Sequence, residues 1–206
     1  MSALLLIAAL SYLLGSIPFG YLLVRIFLGE DVRKSGSGNI GATNVSRKSP
    51  LLGALTLLLD ALKGTAAVAL SYVVADHMVA TPTFDQLALG ALFAVLGHVF
   101  PVWLKFHGGK GVATGLGAFV VIAPKAVLIA AGVFIAVAAI SRYVSLGSIV
   151  AVAVFPLVAW LIRQFYLSPT GLALISIASL VILVKHRDNM RRLLARTESR
   201  IGAKRA

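Results

Sequence analysis

One polar stretch divides the apolar N-terminal part of the chain: Ser35-Gly-Ser-Gly-Asn-Ile-Gly-Ala-Thr-Asn-Val-Ser-Arg47. Its glycines allow tight turns and let backbone N–H groups approach a ligand closely. Its hydroxyl and amide side chains add hydrogen-bonding groups, and the basic pairs Arg33-Lys34 and Arg47-Lys48 add positive charge at both ends. This chemistry suits an anion such as a phosphate, although a flexible basic loop has the same composition.

The composition indicates an integral membrane protein. Of the 206 residues, 59% are hydrophobic and 13% are charged, and the hydrophobic residues form long runs. Soluble domains have a much lower apolar share, whereas such runs are typical of membrane-spanning helices. The chain has no cysteine, which excludes disulfides, thiolate nucleophiles and cysteine-ligated metals. We therefore expect an all-α integral membrane protein that forms a single domain over residues 1–206.

The net charge of +12 lies mostly in the segments between apolar runs and in a basic tail, residues 185–206. Positive loops mark the cytoplasmic side of a membrane protein, so this charge reports topology first and attraction of an anionic substrate second. The cations are scattered between spans, which makes nucleic acid a poor partner.

The apolar runs predict about seven transmembrane helices. Their approximate ranges are 3–28, 51–75, 86–104, 112–123, 125–140, 148–162 and 170–184. Pro18 predicts a kink in the first span. Region 112–140 is either one long helix or two short ones broken at Pro124. Two helices put the basic loop 105–111, Arg142 and the tail on one side, as the positive-inside rule requires. The N-terminus is then outside and the C-terminus cytoplasmic.

Asp60 and Lys63 lie inside the second span, three residues apart and therefore on one helical face. An ionisable residue within the membrane indicates a functional site. A self-neutralising pair that packs two spans together is the simpler interpretation, and the sequence leaves both open.

A second polar cluster, Gly108-Gly-Lys-Gly-Val-Ala-Thr114, leads into a predicted helix. A helix N-terminus presents free N–H groups and the positive end of its dipole to an anion, and Lys110 adds a full charge. The cluster is not a nucleotide-binding P-loop, because Leu104 occupies the position of the first glycine and Gly111 follows the lysine.

The third cluster opens the tail as Lys185-His-Arg-Asp-Asn-Met-Arg-Arg-Leu-Leu194. His186 and Asn189 share a helical face, from which they could reach a substrate hydroxyl. A basic segment that merely flanks the last span is the alternative. No histidine pairs with a carboxylate at a spacing typical of zinc ligands, so we expect no metal site.

Segments 37–47, 108–114 and 185–194 resemble the three signature motifs of the bacterial acyl-phosphate-dependent glycerol-3-phosphate acyltransferases. Gly15-Ser-Ile-Pro18 and Asp60-Ala-Leu-Lys-Gly64 also resemble that family, so the likeness extends over essentially the whole chain. It implies a multi-pass enzyme of the bacterial cytoplasmic (inner) membrane. The implied reaction moves a fatty acyl group from acyl phosphate to the 1-hydroxyl of glycerol 3-phosphate. Lysophosphatidic acid and orthophosphate are released in phospholipid biosynthesis.

The same resemblance implies an active site at the cytoplasmic membrane face. It assigns catalytic roles to Ser37, Lys110, His186 and Asn189. The implied substrate-binding residues are Asn39, Gly41, Thr43, Asn44, Arg47, Gly108, Gly109, Gly111, Thr114, Ser145 and Ser148. Backbone N–H groups of Gly108–Gly111 and of the first loop are candidates for holding the donor phosphate. The implied partners are acyl phosphate, glycerol 3-phosphate, the lipid bilayer and the soluble enzyme that makes acyl phosphate; no cofactor is implied.

An acyl phosphate is an activated mixed anhydride, so a hydroxyl can attack it directly and no cysteine is needed. Such a site must bind two anions, align them and stabilise charge on the leaving phosphate. The general base is open at this point. His186 has a suitable intrinsic pKa, and the surrounding cations of the tail favour its neutral form. Alternatively a phosphate oxygen of the donor takes the proton while His186 orients the hydroxyl, which we slightly prefer.

Three rival functions fit the sequence less well. A transporter of phosphorylated molecules usually binds near the midplane, often between repeats, and no repeat is visible. A membrane acyltransferase of the His-x₄-Asp type is excluded, because positions 82, 103, 112 and 191 are not aspartate. A non-catalytic scaffold does not explain three polar motifs on one predicted face.

Overall fold

A computed structural model describes residues 2–79, 81–162 and 168–202. The regular structure in these ranges is helical. The helices are α1 (Ala3–Ser16), α2 (Phe19–Leu28), α3 (Ala42–Val45), α4 (Pro50–Val79), α5 (Phe84–Val99), α6 (Val112–Ile122), α7 (Pro124–Ser141), α8 (Val144–Leu161), α9 (Pro169–Val184) and α10 (Arg187–Leu194). Short 3₁₀ turns lie at Val32–Lys34 and Val102–Leu104. The last four residues of the predicted basic tail lie outside the described residues.

Five helical segments are long and apolar enough to cross a membrane: Ala3–Leu28, Pro50–Val79, Phe84–Leu104, Pro124–Ser141 and Val144–Leu161. A sixth is obtained if α9 and α10, which meet at a bend of 51°, are counted together. Helix α6 is apolar but only 11 residues long. The expected all-α architecture with several membrane spans is therefore confirmed.

Two prolines break the apolar runs where the sequence predicted. Ile17 and Pro18 separate α1 from α2, and Ala123 separates α6 from α7, which begins at Pro124. Proline has no N–H to donate and its ring clashes with the preceding turn, so it starts a helix more readily than it continues one. The division of region 112–140 into two helices is confirmed.

The predicted start of the sixth span is wrong. Helix α8 begins at Val144 rather than at Ser148, so Ser145 and Ser148 lie in its first two turns instead of a polar loop. The Ser148 hydroxyl donates to the Val144 carbonyl oxygen at 3.0 Å. This bond satisfies the Ser148 hydroxyl inside the helix, so a serine at this position is compatible with helical structure.

Glycines bring α4 and α6 into close contact. A Cβ atom at Gly64 would lie 2.1 Å from the Thr114 carbonyl oxygen, and one at Gly117 would lie 1.8 Å from that of Ala61. Membrane helices commonly pack through such small residues, because no hydrophobic force drives them together in lipid. The contact places the middle of α4 beside the first turns of α6, where the second sequence motif ends.

Candidate active site

A polar cavity of about 600 Å³ lies where the three motifs meet. Its walls come from the loop before α3, the start of α6, the start of α8 and the segment after α9. The residues predicted for the site that line it are Ser37, Asn39, Gly41, Thr43, Asn44, Arg47, Lys110, Gly111, Ser145, Ser148, His186 and Asn189. Segments far apart in the sequence therefore share one cavity.

Asn44 gives the first loop its shape. Its side chain is buried, and its Oδ1 accepts a hydrogen bond from the Ser37 N–H at 2.9 Å. Its Nδ2 donates to the carbonyl oxygens of Val32, Ser35 and Asn39 at 3.2, 3.0 and 2.8 Å. Gly36 has a φ of 59°, and a Cβ there would lie 2.2 Å from Asn44 Oδ1, so only glycine fits. The loop has a defined conformation held by its own hydrogen bonds.

The second loop is anchored to the end of α5. The N–H groups of Gly108 and Gly109 donate to the carbonyl oxygens of Val99 and His98 at 3.2 and 3.1 Å. The last carbonyls of a helix have no partner within it, so these bonds complete α5. Because both N–H groups are used inside the protein, the expectation that they hold a donor phosphate is wrong. Neither glycine is among the residues that line the cavity.

Thr114 also differs from its predicted place. It is fully buried, with its carbonyl oxygen against Gly64 of α4, and it is not among the residues that line the cavity. Instead the first turn of α6 reaches the cavity through Gly111, Val112 and Ala113. Gly111 has a φ of 90°, which turns the chain into the helix. The free N–H groups and positive dipole end of α6 make this wall favourable to an anion.

A hydrogen-bonded network joins the second loop to the tail. Lys110 Nζ donates to Asn189 Oδ1 at 2.5 Å, and Asn189 Nδ2 donates to Glu198 Oε1 at 2.6 Å. The other oxygen of Glu198 accepts from Arg192 Nε at 2.6 Å. Two of the predicted catalytic residues, Lys110 and Asn189, are thus in direct contact. The carboxylate between Asn189 and Arg192 holds the tail in place against them.

The tail also folds back onto the turn between α7 and α8. The Ile201 N–H donates to the Arg142 carbonyl oxygen, and the Arg142 guanidinium donates to the Ile201 carbonyl oxygen, both at 2.8 Å. Arg200 Nε donates to the Tyr143 hydroxyl at 2.8 Å. Residues 198–202 consequently form one side of the cavity.

His186 is buried, and its Nδ1 lies 2.8 Å from the Ile182 carbonyl oxygen. A carbonyl can only accept, so Nδ1 carries the proton and Nε2 is left as an acceptor. Burial lowers the pKa of His186 to about 4, and the hydrogen bond to Ile182 opposes this shift. The histidine is therefore neutral at pH 7, as expected, but burial rather than the tail arginines is the main cause. Arg187 and Arg191 are 71% and 79% exposed.

Lys110 has an unusual environment for an ammonium group. Burial lowers its pKa to about 8; the Glu198 carboxylate opposes the shift, and the guanidinium groups of Arg192 and Arg47 reinforce it. The lysine is therefore charged at pH 7 but close to losing its proton. A partly desolvated cation interacts more strongly with a phosphate than a fully hydrated one does.

Five charged or titratable residues line this cavity that were not predicted from the sequence: Asp60, His98, Arg192, Glu198 and Arg200. Asp60 lies 2.8 Å from Lys63 Nζ and both are buried, which fits the interpretation of a packing pair, yet Asp60 also reaches the cavity. Glu198 could have been noticed as a carboxylate within a basic tail. Nothing in the local sequence distinguishes His98 from a packing histidine.

An apolar groove of about 470 Å³ adjoins the polar cavity. It runs between α4, α6, α7, α8 and α9, and its lining includes Gly53, Gly115, Phe119, Ala130, Ala131, Ala151 and Phe155. Thr43, Ser46 and Ser148 line both spaces. Leu57 and Leu116 also line the groove and are 49% and 42% exposed, so its outer edge faces the lipid. A molecule with an anionic head and an alkyl chain fits this pair of spaces.

Within the described ranges, no three His, Asp or Glu side chains are arranged to hold a metal ion. What the site offers is cations for phosphate groups, a neutral histidine that can accept a hydrogen bond, and amide and hydroxyl groups that can align a hydroxyl. This set of groups suits transfer between two anionic reactants.

The known proteins that this chain resembles belong to one family. The family model described as glycerol-3-phosphate acyltransferase matches residues 5–196. The glycerol-3-phosphate acyltransferases of Agrobacterium fabrum and Mesorhizobium japonicum are both 49% identical to this chain. These matches cover 98% of the chain and 94% and 97% of the relatives.

Two solved structures have the same fold. They are crystal structures of PlsY (YgiH), an integral membrane glycerol 3-phosphate acyltransferase, in a glycerol 3-phosphate form and a lysophosphatidic acid form. The TM-scores are 0.87 and 0.83, at 35% and 34% identity. Both matches cover 98% of this chain and 96% of that protein. This multi-pass membrane protein is therefore an acyltransferase that belongs to the glycerol-3-phosphate acyltransferase family.

Proposed function

We propose that this enzyme transfers a fatty acyl group from acyl phosphate to the 1-hydroxyl of sn-glycerol 3-phosphate, giving lysophosphatidic acid and orthophosphate in phospholipid biosynthesis. The observation that carries the proposal is the contiguity of a cationic polar cavity with an apolar groove, which share Thr43, Ser46 and Ser148. The cavity suits the phosphate groups of two reactants, and the groove suits one alkyl chain. The family to which the chain belongs supports the acceptor.

In the bilayer, residues 1–206 form one domain with seven spans: the five long segments, α9 and the short α6. The N-terminus is outside and the C-terminus cytoplasmic. The basic tail, Arg142 and Lys110 all gather at the polar cavity, and the positive-inside rule puts such a cluster on the cytoplasmic side. The active site then faces the cytoplasm from the bacterial inner membrane. Acyl phosphate from its soluble producing enzyme can reach it there.

The phosphate groups bind along the cationic wall. The Lys110 ammonium and Arg47 guanidinium supply charge, and the N-terminus of α6 supplies N–H donors. Ser37, on the preorganised first loop, and Asn189, in the network with Lys110, hydrogen-bond the reacting groups. Thr43 and Ser148 line the junction with the groove, where the acyl carbonyl lies, and Ser145 lines the polar cavity.

The chemical step is a direct transfer. The 1-hydroxyl oxygen attacks the acyl carbonyl carbon, the bond from that carbon to the phosphate oxygen breaks, and the leaving phosphate takes the bonding electrons. The hydroxyl proton passes to an oxygen of that phosphate. His186, with a pKa of about 4, is too weak a base to take this proton. Its Nε2 accepts the hydroxyl's hydrogen bond before the step and so orients the oxygen, and the proton then moves to the phosphate. Lys110 stabilises charge on the leaving phosphate. The donor is already activated, so the step needs neither a cofactor nor an acyl-enzyme.

Purified enzyme in detergent, supplied with palmitoyl phosphate and glycerol 3-phosphate, tests the proposal. We expect orthophosphate and lysophosphatidic acid in equal amounts. Palmitoyl-coenzyme A and palmitoyl-acyl carrier protein serve as alternative donors and should give no product. Product from a thioester but not from acyl phosphate would overturn the donor assignment. Flux of glycerol 3-phosphate into sealed liposomes without phosphate release would instead indicate a transporter.

A further inference from the structure

A chain of buried polar contacts leads from the break between α1 and α2 to the floor of the active-site cavity. Lys63 Nζ lies 2.8 Å from Asp60 Oδ1 and donates a hydrogen bond to the Ile17 carbonyl oxygen at 2.6 Å. Asp60 and Lys63 are 2% and 4% exposed. The Ile17 carbonyl lies at the break between the two helices, where it also accepts from the Phe19 N–H at 3.2 Å, and Lys63 gives it a second, shorter hydrogen bond.

His98 of α5 continues this chain. Its imidazole is buried, and its Nδ1 lies 3.6 Å from Asp60 Oδ1. The opposite side of the ring lies against the second loop: a Cβ at Gly109 would lie 2.0 Å from His98 Nε2, 2.9 Å from Cε1 and 3.0 Å from Cδ2. All three nearest atoms belong to this one imidazole. The ring occupies the space into which a side chain at Gly109 would project.

Gly109 immediately precedes Lys110, so the surface on which Gly109 rests determines where the ammonium lies. The loop backbone is tied to α5 by the hydrogen bonds of Gly108 and Gly109. The His98 ring, which lies between Asp60 and Gly109, limits how closely the loop can approach α5. A packing role alone would require only the pair of Asp60 and Lys63. It would not require Asp60 to reach the cavity or to contact the histidine that supports the loop.

Lys63 has a second effect in this arrangement. An unpaired carboxylate in the floor of a phosphate-binding cavity would repel both reactants, and its burial within the membrane would be costly. The Lys63 ammonium neutralises Asp60 from the side away from the cavity. The pair can therefore hold His98 without making the floor of the cavity negative.

We propose that Asp60, Lys63 and His98 form a positioning cluster that supports Gly109 and thereby fixes the Lys110 ammonium against the reacting phosphate. This inference rests on the proposed function, because it assigns the cluster an effect only through Lys110. The three residues do not bond to substrate. They determine the geometry of a residue that does.

Single variants give the first test. His98→Ala, and the more volume-conserving His98→Gln, should lower kcat by about tenfold to hundredfold, because a displacement of about 1 Å is enough for such a loss. The KM for glycerol 3-phosphate should change much less. Ser71→Ala is the control for loss of a buried polar group: it removes a hydroxyl of α4 that donates to the Ala67 carbonyl at 2.7 Å and lies 3.2 Å from the Ser11 hydroxyl, and it should keep the wild-type kcat. Rates are taken per folded molecule, with thermal unfolding measured on each variant. Wild-type kcat in a folded His98→Gln variant would overturn the proposal.

A double-mutant cycle separates positioning from general structural damage. In a Lys110→Ala background, followed with radiolabelled glycerol 3-phosphate, His98→Gln should lower the residual rate by less than about threefold. A full additional loss in that background would show that His98 does not act through Lys110 and would refute the inference. Near-normal turnover by Lys110→Ala alone would instead refute the proposed role of Lys110.

The contact with Gly109 allows a rescue experiment. Gly109→Ala places a methyl group against the His98 ring and should displace the loop, with a loss of kcat at least as large as that of His98→Ala. Combining Gly109→Ala with His98→Ala removes the clash, so the double variant should be more active than Gly109→Ala alone. A double variant no better than Gly109→Ala would mean that the ring does not set the position of the loop.

Discussion

The polar cavity and the apolar groove are neighbours built in opposite ways. The cavity depends on particular side chains in particular bonds, such as Asn44 with its four hydrogen bonds and Lys110 with Asn189. The groove depends on the absence of bulk at positions such as Gly115, Ala131 and Ala151. A change of a single side-chain group in the cavity should therefore affect the rate. In the groove, only added side-chain volume should affect the rate, and only for acyl chains long enough to reach the added group.

The largest effect is expected from Lys110→Ala. If the ammonium stabilises charge in the transition state, its removal should lower kcat by about 10²–10³-fold. Lys34→Ala, at an exposed lysine beside the first loop, is the control and should leave kcat unchanged. Steady-state assays of phosphate release on both variants make the comparison. A loss of similar size in both would show that net positive charge, rather than one placed cation, drives the reaction.

A smaller but still large loss is expected from Asn44→Ala. This change adds and removes no charge, but it removes the hydrogen bonds to the Ser37 N–H and to three carbonyl oxygens, of which those of Val32 and Ser35 keep other donors. At about 1 kcal/mol for each bond, the free energy of unfolding should fall by about 2–4 kcal/mol. The rate should fall with the loss of loop shape. Ser49→Ala, which removes one 3.4 Å bond to the Leu52 N–H, is the control. Denaturation and turnover are measured together. An active, fully stable Asn44→Ala enzyme would mean that the conformation of the loop does not depend on the hydrogen bonds of Asn44.

The pH profile should show the titration of Lys110. Its pKa of about 8 lies below the ordinary 10.5, so the ammonium loses its proton as the pH rises through about 8. The kcat/KM for glycerol 3-phosphate reports the ionisation state of the free enzyme. It should therefore fall about tenfold per pH unit above about pH 8. Over this range the unfolded chain binds more protons at this lysine than the folded one, so the group makes the fold more stable as the pH rises. Loss of the Lys110 proton therefore does not unfold the protein, and unfolding is not the cause of the fall in kcat/KM.

Lys110→Arg is the control for this limb. A guanidinium keeps its charge throughout the accessible range, so the variant should lack the alkaline fall whatever its absolute rate. The same alkaline fall in kcat/KM in both enzymes would show that a group other than Lys110 causes it. No acidic limb from His186 is expected above about pH 5, because its pKa is about 4.

The smallest effect is expected in the groove. Ala131→Leu fills space that about two methylene groups of a long chain would occupy, which is worth about 1.5 kcal/mol or roughly tenfold in binding as an upper bound. The kcat/KM for palmitoyl phosphate should fall several-fold, while that for octanoyl phosphate and the KM for glycerol 3-phosphate stay the same. Ala136→Leu, on an exposed face of the same helix, is the control. Equal losses for both donors would indicate that the chain lies elsewhere.

The same contrast explains what could be predicted from the sequence. The prolines at 18 and 124 break helices for local reasons, so both breaks were predicted correctly. The three polar motifs stand out against apolar runs, and they do share one cavity. No motif in the sequence predicted the groove. Its glycines and alanines come from five helices, and small residues in membrane helices usually mark packing.

Local pattern also misled in a specific way. A glycine-rich loop before a helix suits anion binding, but the same glycines suit close packing, and at Gly108 and Gly109 the packing role prevails. The sequence alone cannot tell these uses apart, because the deciding contacts are with the end of α5. For the same reason Glu198 and His98 were missed. Each acquires its place through a neighbour distant in the chain.

The exposed edge of the groove at Leu57 and Leu116 opens the groove to the surrounding bilayer. In the proposed reaction, a single-chain product leaves sideways and needs free area among the lipids already present. Release should then slow in a tightly packed or gel-phase leaflet and quicken in a fluid one. The rate of making new lipid would in this way follow the lateral pressure of the leaflet that receives it.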